Sequence, residues 1–500
     1  MNEAAAFDIK AHLPALQVVV PLLGAVLCAF LRRSTLAWTW SLLITWCTAI
    51  VATALLWHVL EVGTLSYALG GWKPPYGIEY RVDVLAAFIL FVVAWSGAII
   101  MIFAKASVER EIDRSKHAWF YCMYLLCLTG LLGIAITGDA FNAFVFMEIS
   151  SLAMYALIAM GRHRRALLSS YQYLIMGTIG ATFYVIGVGM LFTITGSLNF
   201  VDIAERLLGS GMARPAIAGL AFLTVGISLK LALFPLHAWL PNAYAYAPSV
   251  VTAFLAGTAT KVAIYLLMRI FFSVYGASSI FKILPISEIL LVLSIAAMIG
   301  ASLVAVFQDN VKRVLAYSSV AQVGYITLGI ALANQAGLTA ATMHMFNHAV
   351  IKTALFLAIG AAVFRIGTVR LHDLDGLGPR MPITMIAFII GGFALIGTPG
   401  TAGFISKYYL AVGALDKGWW WLVFIIVVSS FIAVVYVGRM LEAIWFREPS
   451  EFAQKATEAP VSLLLPIVFL TAAVIWFGFD TRLTAEIAAK AADVLLGGVK

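Results

Sequence analysis

Residues 229–267 read LKLALFPLHAWLPNAYAYAPSVVTAFLAGTATKVAIYLL, and two facts about this stretch decide the fold. It is apolar over lengths that cross a bilayer as helix, about 20 residues each. It also carries ionisable residues inside those lengths: Lys230, His237 and Lys261. Between them stand Pro235 and Pro241. Proline removes a backbone donor and clashes with the preceding turn, so this helix should break near mid-membrane.

The rest of the chain has the same character. Of its 500 residues 63% are hydrophobic and 11% charged, with a mean hydropathy of +0.99. A water-soluble domain of this length needs far more polar surface. About fourteen apolar segments follow one another, near 13–31, 36–58, 83–104, 118–137, 140–160, 170–195, 215–238, 248–272, 286–306, 314–333, 338–364, 382–412, 419–446 and 461–478. They are continuously apolar, whereas barrel strands are short and alternate in polarity. The expectation is an all-α polytopic membrane protein.

Lysine and arginine set the orientation. Seventeen fall in loops after odd-numbered spans, among them Arg32, Arg33, Arg110, Arg162, Arg164, Lys312 and Arg370; seven fall in even loops. The odd loops should be cytoplasmic and both termini outside. This bias explains the net charge of +8 and gives no argument for nucleic acid. The N-terminus lacks the pattern of a removable signal peptide. Cys28, Cys47, Cys122 and Cys127 lie inside apolar spans at spacings that fit no metal pattern, and are expected to pack.

No linker divides the chain, so residues 1–500 are expected to form one membrane domain. The polar stretch GGWKPPYGIEYRVD (70–83) suits a small external hairpin. NFVDIAERLL (199–208) and the tail within 480–500 are expected to be surface helices. A second broken span is expected at IGTPGTAGFISK (396–407), five spans after the first. Paired breaks imply an internal repeat, 118–272 against 286–446, and point to an ion pathway.

Ionisable residues within spans are functional candidates because charge in hydrocarbon is costly. Besides Lys230 and Lys261 these are Glu148, the trio His344, His348 and Lys352, and Lys407 beyond the second break. The trio is spaced four apart and shares one helical face. A proton relay needs groups that change charge at modest cost. Low dielectric brings buried lysine and glutamate towards neutrality, and histidine is already near it. His237 is a weaker member, as ready to be a packing residue. Glu148 with Lys230 could equally be a static pair, and Lys352 could snorkel to the interface. Asp139 reads as a helix cap, and Asp309, Lys312 and Arg313 as a cytoplasmic turn. Two histidines with no third ligand make a poor zinc site, so no metal and no cofactor is expected.

FVFMEISSLAMYALIA (144–159), the opening stretch 229–267, DNVKRVLAYSSVAQVGY (309–325), FNHAVIKTALFLAIGA (346–361) and GTPGTAGFISKYYL (397–410) together resemble the antiporter-like membrane subunits shared by respiratory complex I, membrane-bound hydrogenases and Mrp-type cation/proton antiporters. The resemblance implies two five-helix repeats inverted relative to each other. It also implies a proton path in which Glu148 and Lys230 form a pair, Lys261 is the central station and Lys407 serves the exit half-channel. His348 matches a histidine of the eleventh helix; His344 and Lys352 are assigned less firmly. Lys407 stands where one complex I subunit has Glu. The hairpin and the tail look most like the D-type subunit of the Mrp antiporters. The implied function is proton translocation within a multisubunit Na⁺(K⁺)/H⁺ antiporter, with other membrane subunits as partners. The rival is a proton-pumping subunit of a complex I-like oxidoreductase or hydrogenase, and a third reading is a non-transporting scaffold.

Overall fold

A computed structural model describes residues 9–210 and 213–497. Thirteen of its helices are long and apolar enough to cross a membrane. The twelfth span is the exception, since it is cut into Pro382–Ile396 and Ala402–Asp416. With it the count is the fourteen read from the sequence. The only sheet among the described residues is β1 (Leu65–Ala68) paired antiparallel with β2 (Glu79–Val82), Leu65 opposite Val82. β2 lies within the polar stretch 70–83 that predicted a hairpin, and β1 lies just before it.

The middle spans form the core. The third (Val84–Glu111), fourth (His117–Ile136), eighth (Ser249–Val274), tenth (Val311–Leu332) and eleventh (Gln335–Ile366) are buried over most of their length. The first two and the last two spans present much of their apolar surface outward. Such continuous apolarity lets a helix be buried in protein or face lipid, so outer and inner spans look alike in composition. Cys28, Cys122 and Cys127 are buried as expected, while Cys47 lies exposed on the outward side of the second span.

Both breaks occur where proline and glycine placed them. After Arg214–Leu231, Ala232 takes a left-handed conformation (φ 59°), and the chain turns before Trp239–Tyr246. The Trp239 indole donates at 2.9 Å to the Leu229 carbonyl, whose backbone donor is the Ala232 amide at 3.4 Å. In the twelfth span Gly397 (φ 87°) ends the first half, and Gly403 lets the second half start against it. A Cβ on Gly403 would lie 1.9 Å from the Ala394 carbonyl oxygen.

The eighth span is also interrupted, at Thr258 (φ −123°, ψ −61°), between Ser249–Gly257 and Ala259–Met268. No proline announces this break. Gly257 sits so close to the eleventh span that a Cβ would meet the Thr353 hydroxyl at 2.5 Å.

The amphipathic stretch after residue 199 is the helix Phe200–Ser210, with Asp202 and Arg206 paired at 3.0 Å. The tail forms Arg482–Leu495, whose Ile487, Ala488, Ala491 and Ala492 are buried against the protein. Residues 498–500 of the predicted 480–500 segment lie outside the described residues. Asp139 caps the fifth span by accepting from the Asn142 amide at 2.7 Å, as expected.

One buried pair escaped the sequence reading. Arg269, at the end of the eighth span, donates to Asp83, which also caps the third span through the Ala86 amide at 2.9 Å. Their side chains are 11% and 7% exposed. Removing one partner leaves the other charge uncompensated, at a cost of about 3–5 kcal/mol. Arg269→Leu is therefore expected to lower the apparent melting temperature of the solubilised protein markedly, and adding Asp83→Asn to recover much of the loss. An unchanged melting temperature for the single variant would contradict this role.

Candidate functional site

The ionisable residues singled out in the sequence lie along the interior, and each has a local reason for its place. Glu148 is on the fifth span (Ala140–Ala159) and Lys230 on the last turn before the break in the seventh. Their charged atoms are 3.8 Å apart, an ion pair without a hydrogen bond. The ammonium instead donates to Ser151 at 2.9 Å. Lys230 is 8% exposed. Gly177 on the sixth span (Arg164–Thr195) makes room for this arrangement, since a Cβ there would lie 1.8 Å from the Tyr155 hydroxyl and 3.4 Å from Lys230 Nζ.

Between Lys230 and the eighth span is a cavity of about 30 Å³, lined by Ser150, Ser151, Ala259 and Val262. That volume suffices for a water, with the two hydroxyls and the ammonium as polar partners. Lys261 follows the Thr258 break and is fully buried; its ammonium donates to the Ala256 carbonyl that the break sets free. It lies within electrostatic range of His344, His348 and Lys352 on the eleventh span.

The His344 and His348 rings lie parallel, with centres 5.9 Å apart and planes 6° from each other. Neither nitrogen of His348 has a hydrogen-bond partner in the protein. His344 is held at both: Nε2 lies 2.7 Å from Gln322 Oε1, and Nδ1 2.7 Å from Ser406 Oγ. Gln322 Nε2 donates to the Leu395 carbonyl, which orients the amide. Its oxygen can only accept, so in the neutral ring Nε2 carries the hydrogen and Nδ1 accepts from Ser406. Ser406 also lies 3.2 Å from the Gly403 carbonyl, giving its hydroxyl a second acceptor.

Lys407, next in the chain, donates to the Leu395 carbonyl (3.1 Å), the Ile396 carbonyl (2.8 Å) and Ser430 (3.0 Å). It also rests over the Tyr325 ring, 4.4 Å from its centre. Lys352 donates to the Leu315 carbonyl at 2.8 Å and to Ser318 at 2.5 Å. It is fully buried and turned towards the tenth span, so it does not snorkel. His237 stands apart in the seventh-span turn, stacked on Phe234 at 5.1 Å with Nδ1 unpartnered.

Among the described residues no three His, Cys, Asp or Glu side chains gather as metal ligands. The ring nitrogens of His344 are already engaged.

Two lysines read as loop residues are seated in the protein. Lys312 is 3% exposed and donates to Ser249 Oγ at 3.1 Å. Lys417 caps the tenth span, donating to the Ala331 and Leu332 carbonyls at 3.0 Å each and to Ser287 at 2.8 Å. Lys417 stands in the loop after Ala402–Asp416, as counted, and reaches the tenth span from there, whereas Lys312 was assigned to a loop because span edges blur by several residues. The signal for Lys312 was its position at the first turn of a continuous apolar helix.

Known proteins share this architecture. Residues 137–433 match the family described as NADH:quinone oxidoreductase/Mrp antiporter, TM. The chain belongs to this family. It is 40% identical over 493 residues to the N subunit of the NADH-quinone oxidoreductase of Desulforudis audaxviator (strain MP104C), covering 95% of this chain and 98% of that one. It is 28% identical over 487 residues to the D-type subunit of the Na(+)/H(+) antiporter of Bacillus subtilis (strain 168), covering 97% of each. Among solved structures, a chain of the Mrp complex from Dietzia sp. DQ12-45-1b superposes with a TM-score of 0.89 at 26% identity, over 98% of each chain. A chain of the membrane-bound sulfane sulfur reductase, an archaeal respiratory membrane complex, gives 0.89 at 31% identity over 97% of each. The fold is the family's.

The site geometry makes a prediction of its own. Lys407→Met strands the Ile396 carbonyl, since the Leu395 carbonyl keeps Gln322 Nε2 and Ser430 keeps Tyr325, and Lys261→Met strands the Ala256 carbonyl. Each buried acceptor left without a donor costs about 1–3 kcal/mol. Thermal melting of the solubilised protein should therefore show a comparable loss for the two variants; an unchanged melting temperature in either would contradict the assignment of its hydrogen bond.

Proposed function

We propose that this chain is the proton-translocating subunit of a multisubunit monovalent cation/proton antiporter. The observation that carries the proposal is the row of titratable side chains between two broken spans: Glu148, Lys230, Lys261, His348, His344 and Lys407, with Lys352 beside it. Every member is a proton carrier by chemistry; Ser151 lies beside the Lys230 ammonium, a water-sized cavity lies between Lys230 and the eighth span, and Ser406 lies beside His344. Protons would hop along this row, while the Glu148–Lys230 pair holds or releases one as its separation changes. His237, off the row, would contribute at most from the seventh-span turn. Residues 118–272 and 286–446 would be the two inverted repeats that supply one half-channel each, within a single domain 1–500.

The antiporter reading draws support from the Na(+)/H(+) antiporter relatives and the Mrp complex superposition. In it the partners are other membrane subunits, the exchanged ion is Na⁺ or K⁺, and the chain is a transporter subunit and not itself an enzyme. Its place would be the bacterial inner (plasma) membrane with both termini outside, from the distribution of Lys and Arg. A second reading has its own observation, the 40% identity to an oxidoreductase membrane subunit together with the sulfane sulfur reductase likeness. There the same row would pump protons when electrons flow in another subunit. A scaffold that transports nothing is disfavoured, because idle buried charges only cost stability.

Everted vesicles carrying the whole operon, in a host without its own Na⁺/H⁺ antiporters, separate these readings. An antiporter dissipates a preformed ΔpH when Na⁺ or K⁺ is added, and Lys230→Ala abolishes the response at unchanged protein level. Gly177→Ala is expected to slow it strongly, because the new methyl displaces Tyr155 and crowds Lys230. No cation response from a well-expressed complex would contradict the antiporter reading and favour the redox-linked one.

A further inference from the structure

The buried network around Glu111, Ser249 and Lys312 lies outside the row just described. Glu111 closes the third span, Ser249 opens the eighth and Lys312 lies in the first turn of the tenth. One Glu111 oxygen accepts from the Ser249 amide at 2.9 Å and from its hydroxyl at 3.1 Å; the other accepts from Ser107 at 2.6 Å. Lys312 Nζ donates to the same Ser249 hydroxyl at 3.1 Å and to the Ala247 carbonyl at 3.3 Å. A carboxylate, a hydroxyl and an amine are thus in line. Glu111 and Lys312 line a cavity of about 500 Å³ that opens on the face of the odd-numbered loops, and Ser249 follows the lining residue Pro248; Glu111 is the one carboxylate in the lining among the described residues.

The inner end of the line points to the row. Lys312, Leu315, Ser318 or Ser319, and Gln322 fall three or four residues apart and share one face of the tenth span. Lys352 binds the Leu315 carbonyl and Ser318, and His344 binds Gln322. The stripe runs ten residues, about 15 Å at the helical rise, from the cavity to the parallel histidines. Ser319 also donates to the Leu315 carbonyl, at 3.0 Å.

We infer that this network is the proton port on the odd-loop face: Glu111 takes a proton from water in the cavity, the Ser249 hydroxyl passes one on to Lys312, and the tenth-span stripe leads to Lys352. The transfer balances, since the hydroxyl accepts the carboxyl proton as it gives its own to the neutral amine. Arg110, Arg162, Arg165 and Arg370 in the same lining repel metal cations, so the mouth is suited to protons and not to Na⁺ or K⁺. The inference rests on the relay reading above, which alone gives the port something to feed.

The test uses the complete complex in everted vesicles, where the odd-loop face is outward. Val363 lines the cavity without bonding to the network. In a Cys47→Ser background, Val363→Cys should transport normally until it reacts with a membrane-impermeant thiosulfonate bearing a sulfonate, whose negative charge suits the arginine rim. Modification is expected to cut the initial rate of ΔpH dissipation roughly tenfold or more, and Glu111→Gln to do the same without reagent. Full labelling of Val363→Cys with an unchanged rate, or a wild-type rate in Glu111→Gln, would overturn the port. If Lys230→Ala still abolishes transport in those vesicles, the relay survives and only the port is lost.

Discussion

The structure depends on one recurring interaction, a lysine ammonium seated on a backbone carbonyl that a helix end has left without its donor. A broken helix in the membrane exposes such carbonyls where water is scarce, and each one unpaired is costly. Lys261 takes the Ala256 carbonyl at the break in the eighth span. Lys407 takes those of Leu395 and Ile396 at the break in the twelfth. Lys417 takes two at the end of the tenth. The C-terminal end of a helix carries partial negative charge, so the cation and the break stabilise each other. In the seventh span a Trp239 indole donates to the Leu229 carbonyl, and Lys230 is left for Ser151 and Glu148.

This arrangement explains how the row can hold so many lysines with one acid, Glu148, in it. A carbonyl offers a neutral partner that accepts from an ammonium and, less strongly, from an amine. Both protonation states are then tolerated, which a tight carboxylate pair would prevent. Glu148 is the exception, and its 3.8 Å separation from Lys230 is looser than a hydrogen bond. His348, with two free nitrogens between partnered neighbours, is the member best able to change proton without breaking an existing contact.

Much of this was legible in the sequence because proline, glycine and charge are rare inside apolar helices and conspicuous when present. Pro235, Pro399 and Gly397 marked two breaks, and Glu148, Lys230, Lys261, His344, His348, Lys352 and Lys407 marked the interior. The break at Thr258 was not legible, since Gly257 and Thr258 are ordinary residues without the close approach of Thr353 that demands them. Nor was the burial of Lys312, which depends on a helix edge placed to within one turn, or the reach of the loop residue Lys417 to the tenth span. Arg269 with Asp83 was hidden for another reason. The two are far apart in sequence, and each alone looks like an interfacial residue.

In the proposed relay, protons pass through the chain by way of Lys261, the station between the first break and the parallel histidines. Proton flux into proteoliposomes holding the purified complex and a trapped pH-sensitive dye measures this directly. With Lys261→Met at equal protein content, a loss of about 100-fold or more is expected, the scale on which a proton-transfer group contributes. A flux close to that of the unmodified protein would contradict it.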